Sequence, residues 1–146
     1  MRVLHVIPSV SPLHGGPSFA VKRVAEALAA LGIGVDVATT TANGRGELSV
    51  PLEGPVLERD VRYFYFSRQR PKFWTFSWPL TRWLTQHAGA YDVMHVHALF
   101  SYPPLPACWA ARRHRVPYVL RPLGTLDPWS LRFHRWKKVP YFRFFE

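Results

Sequence analysis

The sequence predicts an α/β fold: a Rossmann-like, doubly wound, mostly parallel sheet with helices on both faces. Three observations carry that prediction. Short, β-branched, nearly all-apolar runs recur, the first being Val3-Leu4-His5-Val6-Ile7, and such runs suit strands covered on both faces. Helical periodicity separates them: Val21, Val24, Ala25, Leu28 and Leu31 fall on one face, with Lys22, Arg23 and Glu26 largely off it. The first strand, loop, helix and strand together have the size of a βαβ unit, whose crossover is right-handed and whose strands are parallel.

The elements follow in order. After the first strand a turn-rich loop, Pro8 to Pro17, leads through His14-Gly15-Gly16-Pro17-Ser18 into a helix from Phe19 to Leu31. Pro17 suits a first helical turn and Gly32 the position just past the end. Gly34 to Thr39 is the second strand. Residues 40–60 are polar and rich in turn formers, among them Asn43-Gly44, Pro51 and Gly54-Pro55. Val61 to Phe66 is a third strand. Phe73 to His87 reads as a helix that Pro79 bends or restarts. Asp92 to His97 is the fourth strand, Tyr102 to His114 a helix opened by Pro103 and Pro104, and Pro117 to Arg121 the fifth strand. Asp127 caps a last helical segment beginning at Pro128.

Composition bounds the function. The chain has 146 residues, with 19 Lys+Arg against 9 Asp+Glu, a formal charge of +10. That length suits one domain of ordinary size. A hydrophobic fraction of 48% and an aromatic fraction of 15% exclude a disordered basic tail. The single cysteine, Cys108, excludes an internal disulfide framework and a Cys-rich zinc module, and its apolar neighbours suit a buried thiol. The apolar run at the amino terminus stops at Pro8, too short for a signal or a span. The expectation is a cytoplasmic protein, with membrane contact restricted to a peripheral surface at the inner face of the cell membrane.

Several residues are candidates for chemistry. In doubly wound sheets ligands collect at the carboxyl ends of strands. Gly15 and Gly16 sit between the first strand and a helix start, where backbone N–H groups and the helix dipole favour an anion such as a diphosphate; the other reading is a plain tight turn. Neither a G-x-G-x-x-G nor a phosphate-loop motif is present. His95 and His97 project to one face of their strand. A metal would need further ligands, and no Cys/His/carboxylate cluster at useful spacing supplies them, so no metal is expected. His95 reads as packed in the sheet and His97, at the strand end, as ligand-facing or packed. Arg121 could meet a phosphate or a hydroxyl-rich substrate, or pair with a carboxylate. Asp127 could accept from hydroxyls or serve as a helix cap.

Two stretches free of acids carry the excess charge. Residues 61–91 hold Arg62, Arg68, Arg70, Lys72 and Arg82; residues 128–145 hold Arg132, Arg135, Lys137, Lys138 and Arg143, interleaved with Trp129, Trp136 and other aromatics. Arg132, Arg135, Trp136, Lys137 and Lys138 are candidates for contact with an anionic membrane surface. The same pattern could serve a nucleic acid, or line a core or interface.

Read together, the strand followed by Gly-Gly-Pro-Ser and a helix ending in Leu-Gly, the strand Tyr91 to His97, Ser101-Tyr102-Pro103-Pro104, and Val116 to Trp129 resemble the amino-terminal domain of family-4-type retaining glycosyltransferases of the GT-B fold. The resemblance implies two Rossmann-like domains with the active site between them, the first holding the acceptor and the second the nucleotide-sugar donor. Residues 1–127 correspond to the acceptor-side domain and 128–146 to a basic aromatic segment of it. The family's paired glutamates of the donor domain are absent, so the chain resembles the acceptor half alone, catalytically incomplete by itself. By the same resemblance Gly15 and Gly16 approach the donor diphosphate, and His97, Arg121 and Asp127 lie on the acceptor side. The nucleotide-sugar is a substrate, and no cofactor or metal is implied. The acceptor is a sugar polymer or a lipid-linked saccharide of the cell envelope. A histidine that many relatives carry before the glycine after the fifth strand is Leu123 here. The alternative reading is a non-catalytic basic module that binds nucleic acid or an anionic membrane, nucleic acid being the less expected partner.

Overall fold

The structure is a computed structural model and describes residues 1–123. Its strands are β1 (Arg2–Ile7), β2 (Gly34–Thr40), β3 (Ala42–Asn43), β4 (Gly46–Glu47), β5 (Val56–Glu58), β6 (Val61–Phe66), β7 (Val93–His97) and β8 (Tyr118–Arg121). Its helices are α1 (Gly16–Ala30), α2 (Trp78–His87) and α3 (Pro104–His114). Six strands form one sheet in the order β5-β6-β2-β1-β7-β8, and β3 and β4 form a separate pair. Every pairing within the large sheet is parallel except β5 with β6.

Alternation along the strands builds two cores. Leu4 and Val6 of β1 and Met94 and Val96 of β7 face Leu80 and Leu84 of α2 and Ala107, Ala110 and Ala111 of α3. On the other face Ile7, Val35, Val37 and Tyr63 meet Val21 and Ala25 of α1. Small residues on α3 let that helix lie close to the sheet. The doubly wound, mostly parallel architecture read from the sequence is therefore present.

Two local expectations are corrected. Phe73 and Trp74 belong to a short 3-10 turn, and α2 starts only at Trp78. Pro71 and Pro79 bracket that break, and the Ser77 hydroxyl caps the new start by accepting from the Leu80 N–H at 3.3 Å. The turn-rich stretch 40–60 also contains paired strands. Arg59 and Asp60 both have positive φ (49° and 64°), the turn geometry that suits a two-residue hairpin, and they fold β5 back on β6 as an antiparallel edge.

At the amino ends of the strands, buried Asp36 accepts two bonds from Arg62 (2.7 and 2.6 Å) and one from the Tyr91 hydroxyl (2.6 Å). Asp36 raises the Arg62 pKa; burial, followed by the Asp36 bond, pushes the Tyr91 hydroxyl up. This network ties β2, β6 and the start of β7 at the sheet edge away from the strand carboxyl ends.

Candidate functional site

The chain lays β2 and β6 on one side of β1, then returns to the other side with β7. The strand order therefore reverses between β1 and β7, and a crevice opens outside their carboxyl ends. A cavity of about 210 Å³ lies there. Ile7, Pro8 and Ser9 line it from the end of β1, and Ser18 from the first turn of α1. His14, Thr75, Ala98 and Leu123 close the remaining walls.

Hydroxyl groups hold the loop after β1 in place. The Ser9 hydroxyl donates to the Ala42 carbonyl at 2.6 Å and accepts from the Ser11 N–H at 3.0 Å. The Thr40 hydroxyl donates to the Pro8 carbonyl at 2.6 Å, and Ser18 donates to the Ser9 carbonyl at 3.2 Å. The chain thus arrives at Gly15, whose φ of 66° and ψ of −139° lie in a region that favours glycine. Among the described residues no side chain caps α1 and its first turn has no acid, so none of them compensates the positive end of the helix dipole. A Cβ added at Gly16 would meet nothing within 4 Å; protein packing does not demand that glycine.

The other walls are strained or tightly tied. Ala98 and Leu123 have φ of 72° and 55°, unusual for residues with a side chain. The Ala98 N–H donates to the Arg121 carbonyl at 2.9 Å. Thr75 ends the 3-10 turn with φ 54°. Behind it, Tyr102 packs edge-on against Trp74 and Phe76 and shares a 2.7 Å hydrogen bond with the Thr81 hydroxyl.

The expected site residues divide. Gly15 and Gly16 stand at the helix start beside the cavity. His97 is wholly buried one residue back from the cavity wall, which Ala98 makes. Arg121 is exposed on the same rim, in register with His97. Asp127, Arg132, Arg135, Trp136, Lys137 and Lys138 lie outside the described residues. Cys108 is half-buried, and burial pushes its thiol pKa up, the opposite of what a nucleophile needs.

The expectation that His95 and His97 lack a third partner is corrected by His5, which register places opposite His95. One nitrogen from each of the three imidazoles lies within 4.8 Å of the others. His5 Nδ1 and His97 Nε2 are 3.0 Å apart and share a hydrogen bond, so a cation held by that pair would have to replace the bridging proton. Burial, then the neighbouring His95, lowers the His5 pKa to about 4. Burial, then the other two imidazoles and Arg121, lowers that of His97 to about 2. Burial also lowers His95, with Arg121 adding to it. The cluster is a set of neutral rings at neutral pH.

The first of the two acid-free stretches is not free of acids in space. Arg62 is committed to Asp36. The Arg68 side chain is only 5% exposed and bonds Glu47 and the Gly44 and Gly46 carbonyls. Lys72 also meets Glu47, at 3.1 Å. Three of the five cations are structural ties. Among the described residues no helix is long and apolar enough to cross a membrane.

A family model described as a glycosyl transferase 4-like domain matches residues 15–146. The chain belongs to that family. Two solved structures share the fold of this glycosyl transferase 4-like domain. One is HepE of Anabaena in complex with UDP and glucose: 20% identity, TM-score 0.53, covering 82% of this chain and 29% of that one. The other is sucrose-phosphate synthase of Thermosynechococcus elongatus: 16% identity, TM-score 0.52, covering 82% of this chain and 32% of that one. The chain thus spans under a third of the length of either structure. No curated protein matches it. The domain is a Rossmann-like half of the GT-B fold, and its cavity lies at the strand switch where α/β folds take ligands.

Proposed function

We propose that this domain is the acceptor-binding half of a retaining glycosyltransferase that moves a sugar from a nucleotide-sugar to a lipid-linked or polysaccharide acceptor. The observation that carries the reading is the cavity at the β1–β7 switch, walled on one side by His14 and by Pro17 and Ser18 of the α1 start. Sugar transfer releases a diphosphate, and an uncompensated helix start stabilises negative charge as it develops there. Gly15 and Gly16 let backbone approach that group without a side chain between. The acceptor lies against Thr75 and Ala98, with Arg121 on the rim. His97 acts from beneath, holding the end of β7 through His5.

In this reading the domain orients the acceptor, a second Rossmann-like half binds the nucleotide, and catalysis comes from positioning and electrostatics without a metal. The domain alone is catalytically incomplete and works at the cytoplasmic face of the membrane. The test is a transfer assay with a panel of nucleotide-sugars. The 146-residue chain alone should transfer nothing above background. Turnover by the chain alone at an ordinary enzymatic rate, about 1 per second or more, would refute the half-site reading.

A further inference from the structure

The three imidazoles of β1 and β7 meet in an arrangement that leaves ring nitrogens unused. His5 and His97 are wholly buried and His95 is half-buried. The hydrogen bond between His5 Nδ1 and His97 Nε2 takes one nitrogen of each ring. The other nitrogen of each, His5 Nε2 and His97 Nδ1, is buried with no hydrogen-bond partner among the described residues. A neutral imidazole carries one N–H and one lone pair, so the shared bond leaves one donor and one acceptor unsatisfied in the core. Buried polar atoms are rarely left so. His95 lies over both rings, with centroids 5.1 Å from His5 and 4.0 Å from His97. Its side chain makes no hydrogen bond among the described residues.

We propose that His5, His95 and His97 form a binding site for a late first-row transition-metal ion, of the zinc and copper class, that ties β1 to β7. One nitrogen from each ring lies within 4.8 Å of the others, and imidazole nitrogen suits zinc and copper. The cluster contains no carboxylate, and Arg121, in register with His97, brings positive charge to its edge. Mg²⁺ and Ca²⁺ take oxygen ligands, so this donor set discriminates against them. Nitrogens on one tetrahedral zinc lie roughly 3.3 Å apart, given Zn–N bonds of about 2.0–2.1 Å, so the set contracts by up to about 1.5 Å on binding. His95, half-buried and without a hydrogen bond, is the ring able to move. The ion takes the place of the proton that His5 and His97 share, and three protein ligands leave a fourth position for water. The ion is a staple between strands, separate from sugar transfer: none of the three side chains lines the cavity. The inference does not rest on the proposed function.

The experiment uses the tag-free 146-residue chain, stripped of metal with EDTA, and calorimetric titration with Zn²⁺, Cu²⁺ and Mg²⁺. Zn²⁺ and Cu²⁺ should each bind at a single equivalent, Cu²⁺ the more tightly, and raise the thermal midpoint; millimolar Mg²⁺ should do neither. His95→Gln leaves the His5–His97 bond in place, and an unchanged metal-free midpoint shows that it remains folded. It should weaken Zn²⁺ binding by more than about tenfold, since even an outer-shell partner of a metal site is worth about 10–100-fold. His87 and His114 are exposed on α2 and α3, and the double variant His87→Gln/His114→Gln should bind Zn²⁺ as the parent chain does. A readout without substitution stands beside these: Zn²⁺ should protect His95 of the parent chain from diethyl pyrocarbonate. The absence of saturable Zn²⁺ and Cu²⁺ binding would overturn the inference. So would unchanged affinity in His95→Gln, loss of binding in the His87→Gln/His114→Gln variant, or equal modification of His95 with and without Zn²⁺.

Discussion

At the residue scale the two glycines make opposite predictions. Gly15 occupies a backbone region that side chains rarely adopt, so Gly15→Ala should lower stability by about 1–3 kcal/mol, measured by urea denaturation. Gly16 has helical backbone and open space around its Cβ position. Gly16→Val should leave the fold in place while weakening ligand approach; a loss of stability as large as that at Gly15 would show the pair to be only a turn. The histidines give a pH dependence. In the unfolded chain His5 and His97 protonate near 6.5, whereas in the fold they stay neutral down to about 4 and about 2. Their contribution is therefore complete above pH 6.5 and is lost as pH falls, by about 1.4 kcal/mol per pH unit for each ring. Urea midpoints at pH 7 and about pH 5 check this, and a flat profile would mean that the rings protonate in the fold. The spacing of His95 and His97 was readable in the sequence, but the third ring was not. His5 comes from a strand 90 residues away, and only the β1–β7 register brings it opposite.

At the element scale, strands and helices buried by regular patterns were legible: β6 and the β1-α1-β2 unit stand where periodicity puts them. What periodicity could not show was pairing through side chains. The excess of cations in 61–91 reads as a basic surface until Arg68 and Lys72 are seen folded onto Glu47 of β4. Arg68 ties the β3–β4 pair to the end of β6, and those loops support the cavity rim. Arg68→Leu should cost about 2 kcal/mol, since charged hydrogen bonds are lost and Glu47 keeps only Lys72 and the Thr41 hydroxyl among the described residues. A change within about 0.5 kcal/mol of zero, the range of an ordinary surface substitution, would return Arg68 to the free surface charge. The short β5 escaped notice for a similar reason: Arg59-Asp60 is not a turn pair with an Asn-Gly or Asp-Gly signature, and three residues are too few to show alternation.

At the scale of the whole molecule, the topology decides where function resides. The outward run through β2 and β6 and the return to β7 create one crevice, and Asp36, Arg62 and Tyr91 lock the opposite edge. The family resemblance visible in scattered short motifs is the one the family match gives. The cavity was not legible, since His14, Thr75, Ala98 and Leu123 share no local pattern and meet only in three dimensions. The direct measurement is amide chemical-shift mapping of the isotope-labelled chain titrated with a polyprenyl diphosphate in detergent. Shifts should concentrate at residues 9–19, Thr75 and Ala98 and leave Asp36, Arg62 and Tyr91 unmoved. Shifts centred on the Asp36 edge, or none at the β1–β7 crevice, would contradict the assignment of this cavity as the substrate site.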